Sequence, residues 1–452
     1  MNTKNDLTSG PILKKMILLA LPIIGTSFFQ MAYNLTDLFW IGKLSSDALA
    51  AVGTAGFYPW FAMAFIMLTK IGAEVGVAQS VGKKDIKLTH AYVGHTIKLN
   101  VIMSILYSII VFLLSHQLIG IFNLGDSNVI QMAESYLKII TFGLPFYFVN
   151  PVLTGIFNGS GDSKTPFWIN SMGLLANIVL DPLLIFGFNL GVDGAALATI
   201  SAQFIVTLLF ILSLKKHIHL FEGFSLKNKL QIDIIKKVIK LGLPVGVQSA
   251  CFTIIAMVIA RIITNWGPTP IAVQKVGSQI EALSWMTASG IATALGTFVG
   301  QNYGAKEQKR IIKAYKIAMY LMVGIGAMVT CLFVFFGREL FSIFTTDVNA
   351  IQEGAVYMKI LGYSQLFMCI EITTSGFFNG LGKTHIPSVT SITLTGLRIP
   401  MAYALSATAL ELSGVWWSIS ITSIAKGIIM LGFVSILIKN INQNGLQILA
   451  KN

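Results

Sequence analysis

The sequence predicts an all-α integral membrane protein, with twelve transmembrane helices in two six-helix lobes related by a pseudo-two-fold axis along the membrane normal. Three observations predict it. Of the 452 residues, 54% are hydrophobic and 11% charged, against about 25% charged in an ordinary soluble domain. Apolar runs of about 20 residues or more, the length that crosses a hydrocarbon core, recur from end to end. The second half of the chain also repeats the first. A soluble chain could not keep so much apolar surface from water, whereas lipid solvates it.

The periodic apolar stretches place helices at 12–41, 48–79, 89–114, 128–157, 164–188, 193–214, 233–265, 271–301, 310–336, 350–379, 385–408 and 413–438. Trp40, Tyr58, Trp60, Trp168 and Trp266 fall toward helix ends, as interface anchors do. The first run is long enough to be a retained spanning helix, and no signal-peptide cleavage pattern is present. With the N-terminus assigned to the cytoplasm, the inside loops carry Lys4, Lys14, Lys15, Lys83, Lys84, Lys87, Lys164, Lys215, Lys216, Lys227 and Lys229. Lys236, Lys237, Lys240, Lys306, Lys309, Arg310, Lys313, Lys383 and Lys439 belong to the same set, while the outside loops offer Lys43 and Arg338. An asymmetry of about ten to one puts both termini in the cytoplasm and the protein in the cytoplasmic (plasma) membrane. The expected organisation is a first lobe at 1–214, a cytoplasmic linker at 215–232, a second lobe at 233–438 and a cytoplasmic tail at 439–452.

The net charge of +13 is explained by cytoplasmic lysines facing anionic headgroups, and no nucleic-acid partner is expected. Cys251, Cys331 and Cys369 lie in apolar segments without C-x-x-C spacing, and no H-E-x-x-H motif occurs. No catalytic constellation and no cofactor are expected.

The repeat is explicit. Gly155-Ile-Phe-Asn-Gly-Ser-Gly-Asp-Ser-Lys-Thr-Pro166 returns 221 positions later as Gly376-Phe-Phe-Asn-Gly-Leu-Gly-Lys-Thr-His-Ile-Pro387. Lys14-Lys15 before Leu21-Pro22 matches Lys236-Lys237 before Leu243-Pro244, and Ala78-Gln79 through Gly82 matches Gly300-Gln301 through Gly304. Six helices were duplicated, and because six is even the halves run parallel. Gly382-Lys383-Thr384 resembles the tail of a phosphate-binding loop, but G-x-x-x-x-G-K-[ST] needs glycine where Phe377 stands. Both copies read as tight turns, so an uphill process would draw on an ion gradient.

Against this apolar background the buried polar groups stand out. Asn177 and Asp181, one turn apart, sit in the uncharged stretch between Lys164 and Asp193. A carboxylate at the middle of a membrane helix costs roughly 2.5–3.5 kcal/mol, which marks it as functional. Gln30, Asn34 and Asp37 share one face of the first helix, flanked by Tyr33 and Thr36, and Thr199 and Gln203 share a face of the sixth. Carboxylate, amide and hydroxyl oxygens suit a hard cation such as Na⁺, and paired carboxylates equally suit a proton.

Asn34-Leu-Thr-Asp37-Leu-Phe-Trp-Ile-Gly42, Ala50-Ala-Val-Gly53, Gly194-Ala-Ala-Leu-Ala-Thr199, Val299-Gly-Gln-Asn-Tyr-Gly-Ala305 and the turn Gly376 to Gly382 occur in order along nearly the whole chain. In this the chain resembles the multidrug and toxic compound extrusion (MATE) family of the bacterial type. The resemblance implies drug:cation antiport, with Asp37, Asn177, Asp181 and Thr199 falling on the positions that bind the coupling cation, Na⁺ or H⁺. Other members of the family carry a glutamate on the seventh helix and an aspartate on the tenth. Here Gln248 and Ser249 stand on the seventh.

The second half has diverged. At repeat offsets of 222, 221 and 221, Asp37, Asn177 and Asp181 correspond to Ile259, Arg398 and Ala402. Glu281, Glu371, Arg261, Arg398 and Lys426 stand there instead, and an internal ion pair such as Glu371 with Arg398 is expected. Gln30, Tyr33, Asn34, Glu281, Glu371 and Arg398 are the substrate or gating candidates. Pro22, which removes an intrahelical hydrogen bond, is the candidate hinge. The expected partners are membrane lipids, small organic substrates and the coupling cation, with the protein a monomer. The alternative reading is a flippase for a lipid-linked or amphiphilic substrate.

Overall fold

The computed structural model describes residues 6–122, 124–214, 218–221 and 231–446. Lys4, Lys215, Lys216, Lys227 and Lys229, with most of the expected linker and the end of the tail, lie outside the described residues. In chain order the helices are α1 (Ile12–Leu44), α2 (Ser46–Ala55), α3 (Phe57–Gly82), α4 (Ile86–Leu113), α5 (Ser115–Gly120), α6 (Ser127–Gly159), α7 (Lys164–Pro182), α8 (Gly191–Leu214) and α9 (Ile218–Phe221). There follow α10 (Ile232–Ile263), α11 (Pro268–Gly304), α12 (Gln308–Ser342), α13 (Val348–Gly380), α14 (His385–Gly396), α15 (Arg398–Ser406) and α16 (Glu411–Asn444). Among the described residues ten helical spans are long and apolar enough to cross a membrane, with α2 and α3 counted as one. The helix α13 and the pair α14–α15 occupy the other two predicted stretches.

Proline accounts for where the predicted helices break. The stretch at 48–79 divides into α2 and α3 around Gly56, and the ring of Pro59 would meet the carbonyl of Ala55, four residues back. The stretch at 385–408 divides at Leu397, where Pro400 stands in the same relation to Gly396. Asp181-Pro182 ends α7, and a π-helical turn, Leu183–Gly187, follows. Its Phe188 N–H donates to the Leu183 carbonyl at 2.9 Å. By contrast α1 runs on through Pro22. The next turn carries two hydroxyls that bond back, Thr26 Oγ1 to the Pro22 carbonyl at 2.9 Å and Ser27 Oγ to the Ile23 carbonyl at 3.3 Å.

The chain forms two compact units, one comprising Leu21–Gly246 and the other Leu7–Ala20 with Val247–Asn452. In the first, α6 packs against α3, α4 and α8; in the second, α13 packs against α11, α12 and α16. The two central helices are repeat counterparts down to their caps. Asp126 accepts from Asn128 N at 2.7 Å and Asp347 from Asn349 N at 2.9 Å.

Small residues bring the backbones together. A Cβ on Gly159 would lie 2.5 Å from the Glu74 carbonyl of α3. Its counterpart Gly380, with Gly376, meets the Gly296 and Ala292 carbonyls of α11 just as closely. Without a hydrophobic force between helices in lipid, such close backbone packing is the main attraction available. The glycine turns are structural. Gly161 (φ +90°) and Gly382 (φ +78°) are left-handed, and Asp162 Oδ1 accepts from Lys164 N and Thr165 N at 3.2 Å, taking amides a phosphate would need.

The unit boundary differs from the expected linker at both first helices. The start of α10 groups with the first unit because Gly246 of α10 seats against the Ala64 carbonyl and Gly72 of α3 against Val238. Leu7–Ala20 groups with the second unit because it is tied there. Leu7 N donates to Gln301 Oε1 at 3.2 Å, and Arg310 donates to the carbonyls of Leu7 and Ser9 at 3.1 Å and of Gly10 at 3.0 Å.

Two predictions follow from this packing. Gly376→Leu forces a side chain into the Ala292 backbone, and overpacking costs about 1–3 kcal/mol or more. It should lower the thermal midpoint by several degrees or prevent recovery of monodisperse protein, whereas Gly324→Ala, with open space around it, should not. Arg310→Ala strips three carbonyls of a charged donor, each such bond contributing about 1.5–3 kcal/mol. It should lower the midpoint and speed proteolytic cleavage near Ser9, with Arg310→Lys intermediate.

Candidate functional site

The polar residues singled out on the first, fifth and sixth predicted spans come together inside the first unit. Asn177 and Asp181 of α7 are fully buried, and Asn177 Nδ2 donates to Asp181 Oδ1 at 3.0 Å. Asp37 of α1 faces Asp181, Asn177 and Thr199 of α8. Three helices thus contribute, and the spacing explains how: Asn177 and Asp181 share a face, and the stripe Gln30, Asn34, Asp37 turns one side of α1 toward them. The π-helical turn begins two residues after Asp181, a distortion common at functional sites.

What distinguishes this centre is its unsatisfied oxygens. Tyr33 Oη, Asp37 Oδ1, Asn177 Oδ1, Asp181 Oδ2 and Thr199 Oγ1 are all buried with no hydrogen-bond partner among the described residues. A buried polar atom left unpaired costs about 1–3 kcal/mol, more if charged. Two carboxylates that face each other add repulsion when both are charged, and a low local dielectric strengthens it. A proton or a desolvated cation relieves both costs at once. Five oxygens of carboxylate, amide, hydroxyl and phenol type suit a hard ion.

A cavity of about 260 Å³ adjoins the cluster. Gln30, Tyr33, Asn34, Asp37 and Thr199 line it on the polar side, and Trp60, Tyr136 and Tyr147 supply aromatic walls. Large aromatic faces beside a carboxylate suit an organic cation.

Two features were missed by sequence reasoning. Tyr136 of α6 is buried and flanks Asp37, Asp181 and Thr199. It stands in no polar stripe, and the available signal was its repeat counterpart Tyr357, 221 positions on. Asn150 of α6 donates to Gln203 Oε1 at 2.8 Å and accepts from Thr207 Oγ1 at 2.8 Å, holding α8 beside the site.

The second unit is arranged differently from expectation. The contact partner of Glu371 is Lys426, at 3.5 Å, not Arg398. The break at Leu397 sets Arg398 at the start of α15, where its Nε donates to Thr422 Oγ1 at 2.9 Å and its Nη2 to Ser423 Oγ at 3.0 Å. Glu281 and Tyr357 face it as neighbours.

Comparison with known proteins identifies the family and the fold. A family model, MatE, matches residues 22–183 and 244–404, one match in each duplicated half. The probable multidrug resistance protein NorM of Thermotoga maritima is 28% identical over 414 residues, 90% of this chain and 88% of that one. The multidrug export protein MepA of Staphylococcus aureus is 24% identical over 422 residues, 91% of each chain. Among solved structures, a MATE crystallised in the bent conformation has a TM-score of 0.92 at 22% identity, covering 98% of this chain and all of that one. An outward-facing multidrug resistance MATE family transporter of the MOP superfamily has a TM-score of 0.88 at 24% identity, covering 97% and 99%. With both halves matched, the chain belongs to the MatE family of multidrug and toxic compound extrusion transporters.

Proposed function

We propose that the protein is a cation-coupled antiporter that exports organic, cationic or amphiphilic drugs by alternating access, with Na⁺ or H⁺ as the coupling ion. The observation that carries the reading is the group of five buried, unpartnered oxygens in the first unit, two of them from carboxylates that face each other. Asp37, Asn177, Asp181 and Thr199 hold the ion. Gln30, Tyr33 and Asn34, on the cavity wall beside them, meet the drug. Because Asp37 belongs to both the ion cluster and the cavity, an ion on Asp37 takes away charge that a cationic drug would use. Drug and ion need only disfavour each other by about 1–3 kcal/mol for useful exchange. The names of the relatives, multidrug resistance and multidrug export proteins, favour drugs over lipid-linked substrates. In this reading the monomer sits in the cytoplasmic membrane with both termini inside, Pro22 lets α1 bend, and no cofactor takes part.

Drug export from proteoliposomes, with Na⁺ and proton gradients imposed separately, tests it directly. One gradient or both should drive export, and indifference to each would overturn the reading. Asp37→Asn and Asp181→Asn should each cut driven export by about tenfold or more, since a charge is lost at the ion. Their thermal midpoints should hold or rise, because each removes one of two repelling carboxylates. Normal cation-driven export by both variants would contradict the site.

A further inference from the structure

The repeat relates the polar centres of the two units as well as their helices. At the offset of 221, Tyr357 stands for Tyr136, Ser420 for Thr199, Glu371 for Asn150, Ala402 for Asp181 and Arg398 for Asn177. The correspondence extends to environment. Ser420 Oγ, like Thr199 Oγ1, is buried without a partner among the described residues. Tyr357 flanks Glu281 and Arg398, as Tyr136 flanks Asp37 and Asp181. Glu281 itself stands 222 positions after Pro59, which lines the cavity beside Asp37. The second centre therefore keeps the tyrosine, the hydroxyl and a pair of carboxylates, but its positive charge is part of the chain.

The guanidinium is well held. Thr422 and Ser423 of α16 accept its Nε and Nη2 at 2.9 and 3.0 Å, while Glu371 and Glu281 are the charges that face it. Lys426 takes the Glu371 carboxylate at 3.5 Å. Glu281, Glu371, Arg398 and Lys426 sum to zero, whereas Asp37 and Asp181 have no basic side chain among the charges that face them.

We infer that the Arg398 guanidinium is the resident cation of the second unit, a tethered counterpart of the ion that the first unit takes up and releases. It stands at the position of an ion ligand and faces Glu281 of α11 and Glu371 of α13, the latter also paired with Lys426. The second unit is thereby held in one ion-filled packing, and switching is left to the first. The inference rests on the proposed function for the mobile ion of the first unit, but not for the role of Arg398 in its own unit.

Chemical rescue tests it. Arg398→Ala removes the tethered cation and leaves a guanidinium-shaped space. Because the residue keeps partial exposure, an external guanidinium ion can enter. The purified Arg398→Ala protein should melt lower than the parent, and millimolar guanidinium should raise its midpoint while tetramethylammonium at equal concentration does not. Driven drug export should fall about tenfold or more, as expected when one partner of a buried charge set is removed, and should recover several-fold with guanidinium. Arg398→Gln, which keeps a hydrogen-bond donor but not the charge, should stay impaired. Full stability and export in Arg398→Gln, or an Arg398→Ala protein indifferent to guanidinium, would overturn the inference. If Arg398→Ala does not fold, the double variant Glu281→Gln/Arg398→Gln decides. A midpoint above that of Arg398→Gln supports charge replacement, and an equal or lower one refutes it. The thermal rescue needs no transport, so failure of cation-driven export in the parent protein would sink the proposed function and leave this result standing.

Discussion

Asp37 and Asp181 face each other in an apolar unit, and that juxtaposition is the constraint on which the rest depends. Neither carboxylate can shed its charge cost alone. Asn177 donates one hydrogen bond to Asp181 and Thr199 and Tyr33 stand close by, yet five oxygens keep an open valence. Such a centre is poorly settled without a proton or a metal ion and well settled with one. In the proposed function that difference is the raw material of coupling, because a ligand shifts an equilibrium only by what it contributes differently to two states.

The scaffold that holds this centre is built from backbone contact more than from side chains. Gly159 of α6, against α3, and Gly376 and Gly380 of α13, against α11, let the helices approach to the point where carbonyls meet α-carbons. Prolines then spoil selected helices near the polar centres: Pro59 in the first turn of α3, Pro182 after Asp181, and Pro400 just after Arg398. Duplication supplied this frame twice. Divergence then separated the halves by charge, with repelling acids in the first and balanced acids and bases in the second.

Much of this was legible in the sequence. The twelve spans and the duplication follow from apolar runs and the returning glycine turn. Asp37, Asn177, Asp181 and Thr199 were marked by helical spacing in an uncharged background, which works because lipid makes every buried carboxylate conspicuous. Other features depend on contacts distant in the chain. Nothing local distinguishes Tyr136 from other aromatics of α6, and Asn150 reads as one more polar residue until Gln203 and Thr207 are seen beside it. The pairing of Glu371 with Lys426 could not be chosen over Arg398 without knowing that α15 starts anew at Leu397. The allegiance of Leu7–Ala20 to the second unit rests on Arg310, some 300 positions away. The helix breaks at Gly56 and Leu397 were within reach, since Pro59 and Pro400 were in plain view.

The central claim is that one centre serves ion and drug at each other's expense. Equilibrium binding of a fluorescent cationic drug to purified protein, titrated against Na⁺ at fixed pH and against pH at fixed Na⁺, tests it most directly. The account predicts that the drug Kd rises with the coupling ion and that Asp37→Asn abolishes the dependence. A drug Kd indifferent to both Na⁺ and pH would contradict it.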